Sequence, residues 1–170
     1  MESGIQEPIQ AFFDRSRIYL PLSERLKEFR ERGFGTLRGK RIYLSHLEAF
    51  YLVDKKRIEV TLKSGVQVEF SEIVRRLSKG KPEVWMRYLV YRDLRDRGYI
   101  VREDNNVDFE IYGKGAVRRL VSIVYEGREA SLQTLDKLTS LALRERKELI
   151  LAVIDRRTDI VYYALEKHSF

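Results

Sequence analysis

Cysteine is absent from the 170-residue chain, which excludes disulfides and thiolate metal sites. Histidine is scarce: His46 and His168 are the two, far apart in sequence. A zinc site needs clustered nitrogen or sulfur ligands, and a serine triad needs a histidine beside its nucleophile. Neither pattern is present, and no metal or cofactor is expected. No apolar run approaches the roughly 20 residues of a membrane-spanning helix, so no membrane contact is expected. The opening residues, Met1-Glu2-Ser3-Gly4-Ile5-Gln6-Glu7, lack the basic and apolar regions of a secretory leader. A soluble, cytoplasmic protein is the expectation. Asn (2), Gln (4) and Met (2) are also rare while charged residues reach 35%, a thermophile-like habit.

What is abundant is positive charge. Lys and Arg number 33 against 26 Asp and Glu, a formal net charge of +7. Such a field suits a polyanionic partner such as nucleic acid. The length suits one large domain or two small ones.

Along the chain, residues 9–20 alternate around Asp14-Arg15-Ser16 as a hairpin. Ser23 is placed to cap a helix running to Arg32, stopped by Gly33. Residues 36–44 read as a strand broken at Arg38-Gly39-Lys40. Ser45-His46-Leu47-Glu48 spells a capping box, opening a helix with Leu47, Phe50, Tyr51 and Val53 on its apolar side. Residues 58–62 and 66–70 read as a hairpin around Ser64-Gly65, and Ser71 as the cap of a short helix to Leu77. Ser78-Lys79-Gly80-Lys81-Pro82 combines punctuating residues with loose charges and is read as a domain junction, dividing 1–78 from 82–170. The next helix runs from Pro82 to Arg97, with Arg87, Arg92, Asp93, Arg95, Asp96 and Arg97 on its wet side.

Strands are expected at 99–103, 107–112 and 118–125, then a helix capped by Ser131, then the apolar run Leu149–Ile154 and a last strand, Ile160 to Leu165. An uninterrupted apolar strand is one covered on both faces. The expected class is α/β (α+β): a small mixed N-terminal domain, then a mixed sheet flanked by helices.

Few residues carry chemistry. Asp108, Glu110 and Asp155 are the acids nearest to a carboxylate metal set, and they read more simply as solubilising charges at strand edges. Gly113-Lys114-Gly115 lacks the strand–loop–helix setting of a phosphate loop and reads as a turn. One constellation remains. Tyr112 ends a strand, followed by Lys114, Arg118 and Arg119, while Arg144, Arg146 and Lys147 stand where the last helix meets the apolar strand. If those strands are neighbours, a tyrosine and several cations share one sheet edge. Cations there hold phosphates, and a lysine stabilises developing negative charge. The same residues also describe a buried strand aromatic with a solvated basic rim, and taken alone they leave both readings open.

Longer motifs go further. Leu44-Ser45-His46-Leu47-Glu48-Ala49-Phe50-Tyr51-Leu52, Tyr88 to Val101, Asp108-Phe109-Glu110-Ile111-Tyr112, Arg146-Lys147 with Leu149 to Asp155, and Asp159-Ile160-Val161-Tyr162-Tyr163 together resemble the archaeal tRNA-splicing endonucleases, in order and spacing. The resemblance spans about residues 44–165. It implies a small N-terminal α/β domain and a nuclease-like C-terminal domain. It also implies metal-independent cleavage of precursor tRNA at bulge-helix-bulge junctions by a Tyr, a His and a Lys, leaving a 2′,3′-cyclic phosphate and a 5′-hydroxyl.

Carried over by position, Tyr112 matches the Tyr and Lys147 the Lys, while Ala116 stands where the His belongs, counted back from Leu120-Val121. Ser140 replaces an Arg that the family uses to stack on a bulged base, and the connection before Asp108 is shorter and lacks the family's glycines. The resemblance thus implies the structural, non-catalytic type of subunit, paired two plus two with a catalytic subunit. Lys114, Arg118, Arg119, Arg144, Arg146 and Lys147 become candidates for holding RNA. Ile160, Val161, Tyr162, Tyr163 and Leu165, with the acidic loop residues Glu126 and Glu129, become candidates for docking. Two alternatives stay open: an active endoribonuclease using Tyr112 and Lys147, and a stand-alone RNA-binding module.

Overall fold

The computed structural model describes residues 7–113 and 117–168, which fall into two compact units, Met1–Tyr88 and Leu89–Phe170.

The first unit is a five-stranded sheet in the order β3-β4-β2-β1-β5. Strands β1 (Ile9–Asp14) and β2 (Arg17–Pro21) form the expected hairpin. β3 (Thr36–Arg38) and β4 (Arg41–Leu44) form a second, and β4 pairs with β2. β5 (Ile58–Leu62) runs parallel to β1. Strand alternation gives the sheet one buried face, with Ala11, Phe13, Ile18, Leu20, Ile42, Leu44, Ile58 and Val60 at 7% exposure or less. Helix α2 (His46–Asp54) covers this face. Its capping box is complete: Ser45 Oγ accepts from the Glu48 amide, and Glu48 accepts from the Ser45 amide at 2.8 Å. The Glu48 carboxylate also accepts from the Gly35 amide at 3.0 Å. Gly35 has φ +71°, and a Cβ there would strike Ile42. α2 is buried more broadly than one stripe, since Ala49 and Leu52 join Leu47, Phe50 and Tyr51 in the core.

Three local expectations change. Ser23 makes no side-chain cap, and the expected single helix is a 3-10 turn, Glu24–Leu26, followed by α1 (Lys27–Glu31). Residues 66–70 form no full strand. After the bridge Thr61↔Gln67 the chain turns into α3 (Phe70–Ser78), with Glu69 rather than Ser71 at its N-cap. Burial decides this: Phe70 packs edge-on against Phe50, and Ile73 and Leu77 follow at helical spacing into the core. Helix α4 (Pro82–Asp96) starts at its proline, as expected, but Arg95 is 5% exposed and leaves the wet side. Its guanidinium donates to the Tyr91 hydroxyl at 3.0 Å and to the Val101 carbonyl.

The second unit has a five-stranded sheet in the order β10-β9-β8-β7-β6. β6 (Ile100–Glu103), β7 (Phe109–Tyr112) and β8 (Arg118–Tyr125) form an antiparallel meander. α5 (Leu132–Glu145) crosses from β8 to β9 (Glu148–Ile154), which lies parallel to it. β10 (Ile160–Leu165) folds back as the edge strand. α5 is capped by Ser131, whose Oγ accepts from the Thr134 amide at 3.1 Å. One sheet face meets α4, with Tyr91 against Phe109 at 5.9 Å. The other meets α5 through Leu120, Leu149, Ala142 and Leu165. This is the expected mixed sheet flanked by helices.

Candidate active site

The site is built by register. β7 lies between β6 and β8, so Tyr112 faces Ile100 on one side and Arg118 on the other, and Glu110 faces Arg102 and Leu120. Glu110 and Tyr112 are two residues apart and share a sheet face. Lys147 arrives from α5. The helix ends with Arg146 in the left-handed region at φ 54°, and the Lys147 amide closes on the Ala142 carbonyl at 2.9 Å. Pairing of Glu148 with Arg119 then sets Lys147 at the head of β9.

The result is a chain of side chains. Lys147 Nζ lies 2.7 Å from Glu110 Oε1 and 2.7 Å from Glu145 Oε2. The contact with Glu110 is ionic, because Oε1 receives no well-directed hydrogen bond. Glu110, then Glu145, hold the lysine above its ordinary pKa, so it stays an ammonium. Burial, then the neighbouring Glu110 carboxylate, push the Tyr112 phenol upward, while Arg102 and Arg118 oppose that shift. Both guanidinium groups sit over the Tyr112 ring, at 5.7 and 5.2 Å. Tyr112 and Lys147, expected as partners, are thus brought together through Glu110. Two carboxylates flank one ammonium.

The other candidates divide. Arg118 is exposed beside Tyr112, whereas Arg119 is bound to Glu148 at 2.6 Å. Arg144 and Arg146 are exposed at the end of α5. Lys114 and Ala116 lie outside the described residues. Glu126 and Glu129 are both exposed, and Glu126 accepts from the Arg156 amide at 3.2 Å. On β10, Val161 and Tyr163 are 50% and 54% exposed. Tyr162 points to the opposite face and donates to Asp93 at 2.7 Å, and burial with that bond raises its phenol strongly. Ile160 and Leu165 are half-buried.

Asp108, Glu110 and Asp155 do not converge. Asp108 accepts from the Ile123 amide at 2.8 Å, and Asp155 accepts from the Arg157 and Asp159 amides within its own turn. Among the described residues no three His, Asp or Glu side chains gather where a metal ion would sit. Sequence reasoning missed Arg102, Glu145 and the partnership of Glu110 with Lys147. The turn at Asp104-Asn105-Asn106 carried a usable signal for the first, since pairing across it places Arg102 opposite Glu110.

The family description "tRNA intron endonuclease, N-terminal domain" matches residues 9–74, and "tRNA intron endonuclease, catalytic C-terminal domain" matches residues 84–162. A tRNA-splicing endonuclease of Pyrococcus furiosus is 36% identical, covering 95% of this chain and 98% of its own length. One from Pyrococcus abyssi is 33% identical over 98% of this chain and all of its own. A longer one from Methanococcoides burtonii is 33% identical, with 84% of this chain matching 42% of it.

Proposed function

The chain belongs to the tRNA intron endonuclease family, and from that premise we propose that it is the structural subunit of a tRNA-splicing endonuclease. In this reading it assembles, two plus two, with a catalytic subunit and helps to hold precursor tRNA. The family reaction sends a ribose 2′-oxygen onto the adjacent phosphorus. A base takes the 2′-proton, an acid gives one to the departing 5′-oxygen, and a cation steadies the charge gathering on phosphorus.

Each role is weakened in this chain. Ala116 stands where the acid belongs, and a methyl group has no proton to give; a positioned acid is worth a factor of about 100 to 10,000. Tyr112 is held neutral by burial and Glu110, which opposes its use as a base. The single observation that carries the reading is Lys147, whose ammonium is claimed by two carboxylates at 2.7 Å. Its field at a phosphate is correspondingly cancelled.

Cleavage assays on precursor tRNA test this. The purified chain alone leaves the RNA intact, and mixing it with a catalytic paralogue yields junction cleavage. Cleavage by the isolated chain that is abolished in Tyr112→Phe would overturn the proposal in favour of an active endoribonuclease. That alternative is favoured by one observation: Tyr112 and Lys147 meet on the same carboxylate.

A further inference from the structure

The sheet of the first unit has a second face. It carries Gln10, Phe12, Tyr19, Tyr43, Thr36 and the arginines beside them. Register aligns three rings across adjacent strands: Phe12 of β1 is opposite Tyr19 of β2, and Tyr19 is opposite Tyr43 of β4. The ring centroids are 5.7 and 5.8 Å apart, and all three side chains are half-buried. Such pairs contribute to sheet stability by themselves. What sheet stability does not ask for is the charge around them.

Arg38 stands directly opposite Arg41 in the β3–β4 pair, and like charges facing one another across strands are unfavourable. Both are exposed. An anion placed between them removes the repulsion. Arg41 also lies over the Tyr19 ring at 4.4 Å. A planar guanidinium stacked on an aromatic has an outward plane on which a nucleobase stacks in turn. Arg17 flanks the row on β2, exposed. Lys63, at its margin, is bound to Asp14 at 2.9 Å and contributes less. Asp14, directly opposite Arg17, is the acid among these arginines, and the face joins π-surfaces in a row to exposed cations, the pairing that sequence-tolerant single-strand binders use.

We propose that this face is a platform for single-stranded RNA. Unpaired bases stack on Phe12, on Tyr43 and on the outer plane of the Arg41 guanidinium that covers Tyr19, and the edges of Arg17, Arg38 and Arg41 hold the phosphates. The strand runs across β1, β2 and β4 rather than along them, because the ring row does. A duplex is excluded, since its bases are already stacked and offer no open faces. The inference stands apart from the reading of the Tyr112 site. It needs no cleavage, and its failure leaves that reading untouched.

The test is fluorescence anisotropy of the full chain with a labelled oligouridine of about ten nucleotides, a length within the usual site sizes. Tyr43→Ala should weaken binding roughly 5- to 100-fold, the effect of one lost base stack. Tyr43→Phe, which keeps the ring, should bind like the wild type. Arg41→Ala should lower the salt slope by about 0.7, one phosphate contact on a single strand. If Tyr43→Ala melts early in circular dichroism, the Tyr43→Phe and Arg41→Ala arms still decide the matter. The proposal is overturned if Arg41→Ala leaves affinity and salt slope unchanged, or if duplex RNA of equal length binds as well. It is also overturned if the wild type fails to bind the oligonucleotide and instead forms a dimer that Tyr43→Ala dissolves, which would assign the face to a second copy of the chain.

Discussion

Lys147 Nζ and Glu110 Oε1 are 2.7 Å apart, with each side chain only 15% exposed. Neither group reaches enough water to be indifferent to the other. Glu110→Gln should therefore loosen the site without unfolding the unit, because Glu145 still holds the lysine. A loss of about 1 kcal/mol is expected in chemical denaturation, in keeping with a pair at the rim rather than in the deep interior. The same variant should lower the Tyr112 pKa, since the negative charge of Glu110 that disfavours the phenolate is removed. Ultraviolet titration of the phenols reads that shift, and an unmoved Tyr112 would contradict the described contact.

Alkaline stability should depend on Tyr162. Its phenol is raised above the ordinary value near 10 by burial first and by Asp93 second. A raised phenol keeps its proton in the folded state after the unfolded state has lost it. The unfolded chain then binds fewer protons, so stability falls as pH rises. The contribution is complete below about pH 10 and is lost as pH climbs from there through the folded value. Tyr162→Phe should flatten that alkaline decline. It should also cost about 1 kcal/mol near neutrality, the worth of one hydrogen bond. Urea midpoints followed across the pH range measure both.

Gly35 should resist substitution. Its φ of +71° and the nearness of Ile42 leave no room for a side chain, and its amide is held by the same Glu48 carboxylate that caps α2. Gly35→Ala combines a left-handed penalty with a clash. A loss of more than about 1 kcal/mol is expected by thermal melting. Gly39→Ala is the control: the space around Gly39 is open, so it carries the backbone penalty alone and should cost less.

The docking role proposed for β10 rests on its outward side chains. Val161 and Tyr163 are half exposed, while Tyr162 is engaged with Asp93 inside the unit. Val161→Asp should thus spare the fold and block assembly with a catalytic partner. Light scattering coupled to size exclusion should show the complex lost while the melting temperature of the isolated chain is nearly unchanged. A complex of undiminished size would exclude this strand as the contact.

Local signals were legible where a few neighbouring residues settle the outcome. The Ser45–Glu48 capping box, the Ser131 cap, the apolar run of β9 and the strand Ile160 to Leu165 are all readable from the sequence. Each depends on backbone bonds or periodicity within one or two turns. A β-like run continues through Phe70 in the sequence, whereas Phe50 draws that ring into a helix start. The charge of Arg95 points to water, yet the Tyr91 hydroxyl and the Val101 carbonyl satisfy it in the interior.

The sequence by itself determined the order of strands and helices in the second unit, the absence of cysteine and the alanine at position 116, because these are properties of composition and short-range pattern. Tertiary structure decided that Glu110 reaches Lys147 and that Phe12, Tyr19 and Tyr43 form one row. Those relationships depend on which residues face one another across strands and on where a helix delivers the next strand, and strand register, which only the folded sheet supplies, brings them within reach of one another.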